Sequence, residues 1–382
     1  MDIKETALSL HKKWKGKIET TSKCKVKSRE DLALAYTPGV AEPCKVIAKN
    51  KKEAYTYTIK SNTVAVVSDG SAVLGLGNIG PHAAMPVMEG KAVLFKEFAN
   101  VNAFPICLDT QDTDEIIKTV TLLAPTFGGI NLEDIAAPRC FEIEEKLKAT
   151  LDIPVFHDDQ HGTAIVVLAG IINGLKLTTK DKEDCKVIVN GAGSAGIAIT
   201  KLLLLYGFKN IIMCDKEGVL NQEAPWLNWA QKEMAITTNP NNEQGDLKSA
   251  LKDADIFVGV SAPNIVSPEM IKSMGTDPIV FAMANPVPEI MPDIAKAAGA
   301  KIIGTGRSDF PNQVNNVLAF PGIFKGALES NAKQITDDMK LAAAKAIANL
   351  IDATELNEEN IIPEPFDPRV VEAVANAVKK LV

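Results

Sequence analysis

No C-x-x-C pair occurs among the six cysteines, which lie scattered at 24, 44, 107, 140, 185 and 214. Several sit inside apolar stretches, so they read as reduced, mostly buried thiols and not as a disulfide framework. Nor does any basic run alternate with aromatic residues, which make up only 5% of the chain, and the net charge is -7. Nucleic acid is therefore not an expected partner. No apolar run reaches the length of a membrane span, and the opening MDIKETALSLHKKWKGK mixes acids and bases too early for a signal peptide. The expectation is a cytoplasmic protein with no membrane partner. What the chain does have is core-forming material: 46% of its 382 residues are hydrophobic, enough for about two or three domains.

Four apolar runs end in carboxylates across the first half: Thr63 to Asp69, Ala103 to Asp109, Phe127 to Asp134 and Pro154 to Asp159. Helical patterns separate them at about 82–99, 112–124 and 136–150. The fold class is α/β, with a largely parallel sheet in this half. Right-handed crossovers would bring all four strand ends to one side. Asp69 and Asp109 read there as helix caps. The doublets Glu133-Asp134 and Asp158-Asp159 are harder to explain that way.

The second doublet lies in FHDDQHGTA, residues 156–164, which at first sight looks like a two-histidine zinc motif. That motif needs Glu after the first His and one unbroken helix, so that both imidazoles share a face. Here Asp158 follows His157, a short strand precedes it, and Gly162 stands before the helical stretch Thr163 to Leu175. Two carboxylates at the carboxyl end of a strand suit Mg²⁺ or Mn²⁺ better than Zn²⁺.

A second unit restarts the pattern with the strand Lys186 to Asn190, followed by Gly191-Ala192-Gly193-Ser194-Ala195-Gly196, a helix through Tyr206 and a strand ending at Asp215. Strand, glycines, helix and acid in register make the full dinucleotide-binding context. Gly75-Leu76-Gly77-Asn78-Ile79-Gly80 matches the same expression, but its strand ends near Asp69, Pro81 follows it, and no strand-ending acid stands at the right distance. It reads as a turn that brings backbone close to something, with substrate the better guess. Further strands are expected at 255–261, 279–285 and 301–304, and a helical tail at about 325–352 and 368–381. The expected organisation is an N-terminal α/β substrate and catalytic domain, residues 1–160, then a Rossmann-type domain with closing helices, residues 161–382.

Lys91 falls inside the apolar stripe that Val87, Leu94, Phe95 and Phe98 form on a helix. Its stem could simply cover apolar surface while the ammonium reaches water. Burial would instead lower its pKa and make it a proton acceptor near neutral pH.

Eight stretches in order, LAYTPGVAEPC, VSDGSAVLGLGNIGP, MEGKAVLFK, PTFGGINLEDI, PVFHDDQHGTA, GAGSAG, FAMANPVPE and NNVLAFPG, resemble the malic enzymes over nearly the whole chain. The similarity is to the short bacterial-type form, without the long N-terminal extension or the acyltransferase-like C-terminal domain of other members. It implies oxidation of L-malate with NAD or NADP, decarboxylation, and protonation of enolpyruvate to pyruvate. It further implies that Lys91 is the general base, Tyr36 the acid that protonates C3, and Glu133, Asp134 and Asp159 the ligands of Mg²⁺ or Mn²⁺. Asp158 would support them, with His157 and His161 as local hydrogen bonders. Gly75, Gly77, Asn285 and Asn316 would line the substrate region, Asn285 also facing nicotinamide. Gly191, Gly193, Ser194, Ala195, Gly196 and Asp215 would bind the coenzyme, and the chain would form a homodimer. One departure stands out: longer members carry Arg where this chain has Ala72, so a bidentate clamp on the substrate carboxylate cannot come from there.

At the coenzyme, Asp215 can accept hydrogen bonds from the ribose hydroxyls of NAD but would oppose the 2′-phosphate of NADP, unless Lys216 turns inward. NAD ranks first, with dual use open. Two rival readings remain. Another Lys-dependent two-domain dehydrogenase, for amino acids or folates, would not need the three acids. A noncatalytic nucleotide-sensing module would have no use for Tyr36, Lys91 and the acids together.

Overall fold

The computed structural model describes residues 3–73 and 75–382. The apolar runs of the first half become four parallel strands, β1 (Thr63–Ser68), β2 (Asn102–Cys107), β3 (Gly129–Leu132) and β4 (Val155–His157), in the order β2-β1-β3-β4. Register pairs Val67 with Leu132 and Leu132 with His157. Glu133 and Asp158, the next residue on each chain, therefore leave the sheet side by side.

The second sheet comprises β5 (Lys186–Asn190), β6 (Asn210–Asp215), β7 (Gly218–Val219), β8 (Ile256–Gly259), β9 (Ile279–Ala282) and β10 (Ile302–Thr305). Its order is β10-β9-β8-β5-β6-β7, parallel except for the short β6-β7 pair. With β8 on one side of β5 and β6 on the other, the strand order reverses beside the glycine turn, where open α/β sheets receive ligands.

A single helix, Asp158–Thr178, links the two units. It begins five residues earlier than the expected start at Thr163. Acids are favoured in a first helical turn, where free N–H groups point. Gly162 is consequently inside the helix, and its small size serves a different purpose: a Cβ there would collide with the Asp158 carboxylate folded over it. Contrary to the expectation that no apolar run reaches that length, this helix is by length and composition alone long and apolar enough to cross a membrane; 67% of its apolar window lies inside the fold. It packs between the helices Ser194–Tyr206 and Asp337–Ala348.

The tail departs from expectation in being three helices, Phe320–Glu329, Asp337–Ala348 and Arg369–Lys379. Asn331 takes a left-handed conformation (φ 53°) between the first two, and Thr336 caps the second by accepting from the Met339 N–H. The first tail helix crosses back to the first sheet. Phe320 and Phe324 meet Phe95 edge-on at 4.7 and 5.3 Å, and Phe324 meets Phe156 at 5.9 Å. On the helix Gly80–Ala99 the buried stripe is Ala84, Met88, Lys91, Ala92, Phe95 and Ala99. Val87, Leu94 and Phe98 flank it half-buried, so the lysine lies at the stripe's centre. All six cysteines are free: Cys140, Cys185 and Cys214 are buried, Cys107 is half-buried, and Cys24 and Cys44 are exposed.

Because Phe324 fills the space that Gly129 leaves open beneath β3, truncating it should unsettle both units. Phe324→Ala should lower unfolding free energy by about 3–5 kcal/mol, read from urea denaturation. A loss under about 1 kcal/mol would mean that the tail helix is not integral to the first core.

Candidate active site

The parallel strands deliver Asp69, Glu133 and Asp158 to one edge, and the helix Gly80–Ala99 lowers Lys91 onto it. Lys91 is only 7% exposed. Its Nζ lies 2.5 Å from Asp158 Oδ2 and 2.9 Å from Glu133 Oε1, and 4.1 Å above the Phe320 ring. Asn316, brought in by the chain just before the tail, donates from Nδ2 to the same Asp158 oxygen at 2.5 Å. Asn131, a polar residue in the buried strand β3, donates to Glu133 Oε2 at 2.9 Å.

Next to this knot, Glu133, Asp134 and Asp159 each offer an oxygen, all within 4.8 Å of one another. Asp134 reaches its place with a left-handed backbone, φ 54°, a conformation that costs energy outside glycine and clusters at working sites. Its N–H donates to Asp159 Oδ2 at 2.8 Å. Like charges so close are unfavourable on their own. Burial, first, and the neighbouring Glu133 push Asp158 up to about 7; burial and Asp158 push Asp159 up to about 6; Glu133 is raised as well, again chiefly by burial. A set of crowded hard oxygens with too few counter-charges suits a divalent cation of the Mg²⁺ or Mn²⁺ type.

Lys91 shows the reverse of the expected shift. Burial favours its neutral form, but Asp158 and Glu133 outweigh burial and raise its pKa. The stripe revealed the burial; it could not reveal the two carboxylates that neighbour it.

Other expectations are sorted by the geometry. Asp69 is no helix cap: it is buried, accepts from Ser71 N at 2.9 Å, and pairs with Arg139 at 2.9 Å. Asp109 is exposed, and Asp112 caps the following helix through the Glu115 N–H. Both strands stop short of the acids, leaving loops between acid and helix. His161 does bond locally, with Nε2 2.8 Å from Glu144, and burial pulls its pKa down to about 3. The His157 ring is fully buried, its nitrogens make no well-aligned hydrogen bond among the described residues, and Nδ1 stands 3.7 Å from Asp159. Glu144 escaped the sequence reading because nothing in its own helix marks it; Asn131 left a signal, a polar side chain in an otherwise apolar strand.

The decoy glycine turn is explained by what it approaches. A Cβ on Gly75 would come within 2.9 Å of the Asn285 carbonyl, so this turn of the first unit meets the Asn285 turn of the second. Ala72 contributes no side-chain cation; its N–H donates to Asp134 O at 2.9 Å. Gly77 has φ 73°. In the fingerprint, Gly191 has φ 115° and lies against Val260 O, while Gly196 lies against Gly191 O. Gly193 precedes the helix that opens with Ser194 and Ala195 and supplies no capping side chain, which leaves the terminal N–H groups for a ligand. Asp215 accepts from Glu217 N at 2.9 Å and Trp226 Nε1 at 3.2 Å. The Lys216 side chain is 89% exposed. Tyr36 is not among the groups that bond Lys91 in the knot, and it is 66% exposed.

The chain matches the malic enzyme N-terminal domain over residues 15–148 and the malic enzyme NAD binding domain over residues 160–382. It belongs to the malic enzyme family. A bifunctional malic/malolactic enzyme of Bacillus subtilis is 59% identical over 100% of this chain and 93% of its own length. An NAD-dependent malic enzyme of Geobacillus stearothermophilus is 61% identical over 95% of this chain and 76% of its own. The crystal structure of an NAD-dependent malic enzyme from Thermotoga maritima superimposes with a TM-score of 0.95 at 55% identity, covering 98% of both chains. The α/β two-unit reading and the malic enzyme resemblance thus hold, and the rival dehydrogenase and sensor readings are not favoured. This malic enzyme oxidises and decarboxylates malate with NAD or NADP.

The raised carboxylates carry a stability consequence. Without a cation, burial and the neighbouring carboxylates hold Asp158 and Asp159 up to about 7 and about 6 in the folded protein, above the ordinary range of an aspartate. The folded chain binds more protons than the unfolded one across that window, so stability from this source falls as pH rises through it. In excess chelator, the urea midpoint should be higher at about pH 5.5 than at about pH 7.5, and Asp158→Asn should narrow the gap. A midpoint that climbs over this range in native protein and is unmoved by Asp158→Asn would contradict the assignment.

Proposed function

We propose that Glu133, Asp134 and Asp159 hold one Mg²⁺ or Mn²⁺, that Lys91 is the general base for malate oxidation, and that Tyr36 protonates the enol of pyruvate. The observation that carries this reading is the buried Lys91 bonded to Asp158 and Glu133 beside three converging acids. A bound cation would polarise the C2 oxygen of malate and stabilise negative charge on it during decarboxylation, while the nicotinamide ring would accept the hydride. Lys91 removes the C2 hydroxyl proton. It can do so only as a neutral amine, the form burial favours once the charge of Glu133 and Asp158 is offset. Asp158, fixed by Asn316, keeps the amine aimed at the substrate position. Gly75 and Gly77 from residues 1–160 and Asn285 and Asn316 from 161–382 would then close over malate, with backbone N–H groups of the glycine turn taking the role an Arg at position 72 would have had.

Tyr36 fits this scheme as a residue lent by a second copy. It follows the helix Arg29–Ala35, which with Ile3–Trp14 and Ala41–Lys49 has no buried residue. Leu8, Trp14, Leu32, Leu34 and Tyr57 are all exposed in the same segment, an apolar surface of the kind covered in oligomers. In a homodimer built on this segment, Tyr36 would enter the partner's cleft. Free cysteines throughout suit a reducing, cytoplasmic setting. At the coenzyme, Asp215 favours NAD over NADP, and the solvated Lys216 offers a 2′-phosphate no fixed partner.

Tyr36→Phe and Lys91→Ala proteins, each inactive in pyruvate formation, test the scheme when unfolded and refolded together. Half the dimers would be mixed, each with one intact site, so about a quarter of native activity should return, and more with NAD than with NADP. No recovery from a mixture whose subunits demonstrably exchange would place Tyr36 and Lys91 in one chain's site.

A further inference from the structure

Glu289 lies under the carboxyl edge of the second sheet and is fully buried. A carboxylate withdrawn from water is costly unless its lone pairs are engaged. Among the described residues no cation pairs with it; the compensation comes from three donors. Oε1 accepts from Ser261 N at 2.8 Å and from Ser261 Oγ at 3.2 Å, and Oε2 accepts from Ala284 N at 3.0 Å.

Those donors sit just past two adjacent strands, Ser261 after β8 and Ala284 after β9, so one carboxylate clamps both loops together. The clamp extends to β5, whose last residue Asn190 donates from Nδ2 to Ser261 Oγ at 2.7 Å. Space has been made for it: a Cβ on Gly259 would stand 2.6 Å from Glu289 Cδ. What hangs on the clamp is the coenzyme cleft. Val260, next to Ser261, is the surface against which Gly191 packs, and Asn285, next to Ala284, meets Gly75 through its carbonyl and Gly306 through its amide.

We propose that Glu289 is a positioning residue, which sets the glycine turn and the Asn285 turn at the separation that coenzyme and malate require. This rests on the reading of Gly191–Gly196 and Asn285 as coenzyme-facing. Removing the acid need not empty the cleft; it releases two backbone N–H groups whose directions determine where Val260 and Asn285 stand. Glutamine keeps the volume but turns an amide N–H₂ toward a backbone N–H, so one of the two loops loses its acceptor.

The test compares Glu289→Gln, Ser261→Ala, Asn285→Ala and the double variant Glu289→Gln/Asn285→Ala, with NADH affinity from its fluorescence, kcat and KM for malate, and thermal midpoint. Glu289→Gln should weaken NADH about fivefold and lower kcat about tenfold, the scale of a small misplacement of reacting groups. Ser261→Ala, which deletes only a hydroxyl and serves if the glutamine variant folds poorly, should shift both in the same direction by less. Adding Asn285→Ala to Glu289→Gln should cost little further, because the two act as one unit. A lowered thermal midpoint with NADH affinity and kcat unchanged in both Glu289→Gln and Ser261→Ala would overturn the proposal. Should Glu289→Gln weaken NADH while Asn285→Ala alters nothing, the clamp stands and the reading of Asn285 falls instead.

Discussion

The arrangement depends on keeping one ammonium and two carboxylates out of water together. Lys91, Glu133 and Asp158 come from a helix and two strand ends, and none could be buried alone at tolerable cost. Together they are tolerable only if each is held in register. Parallel pairing supplies the register for the acids, since Leu132 lies opposite His157. The Phe320 ring supplies the remaining wall for the lysine, 4.1 Å from its Nζ. The contacts that bury the knot are thus drawn from the first sheet and from the last quarter of the chain.

That dependence explains the shape of the second unit. Its linking helix begins at Asp158 itself, so the acid that orients Lys91 is also the first residue of the element that joins the sheets. Asn316 reaches Asp158 from just ahead of the tail, and the Asn285 turn touches the Gly75 turn from the other side. A displacement of one unit against the other would be felt at the lysine through Asp158 and at the proposed substrate region through Gly75, which would make the site sensitive to packing far from the chemistry.

Much of this was legible in the sequence, for identifiable reasons. The strands and their carboxyl-end acids were readable because strand runs are apolar and an abrupt carboxylate ends them. The dinucleotide fingerprint was readable because its glycines are demanded by contacts within a short span, Gly196 against Gly191. Lys91 was visible as a charge in an apolar stripe, yet the direction of its pKa was not, because that depends on Asp158, 67 residues away. The start of the linking helix was missed because Gly162 looks like a helix breaker until the Asp158 side chain is known to fill its place. Position alone suggests caps at Asp69 and Asp109, whereas Arg139 takes Asp69 and Asp112 does the capping. Tyr36 could be named through family resemblance, but local pattern says nothing about which chain's cleft it serves.

On the proposed reading, the knot prepares an all-oxygen cation site on Glu133, Asp134 and Asp159 and leaves the histidines out of it. Calorimetric titration of metal-free protein with Mn²⁺ tests this most directly, comparing native chain, Glu133→Gln, Asp159→Asn and His161→Asn. A single saturable site should be present in the native protein and in His161→Asn, and weakened about tenfold or more in each carboxylate variant. Full-strength binding in both carboxylate variants, with loss in His161→Asn alone, would contradict the account.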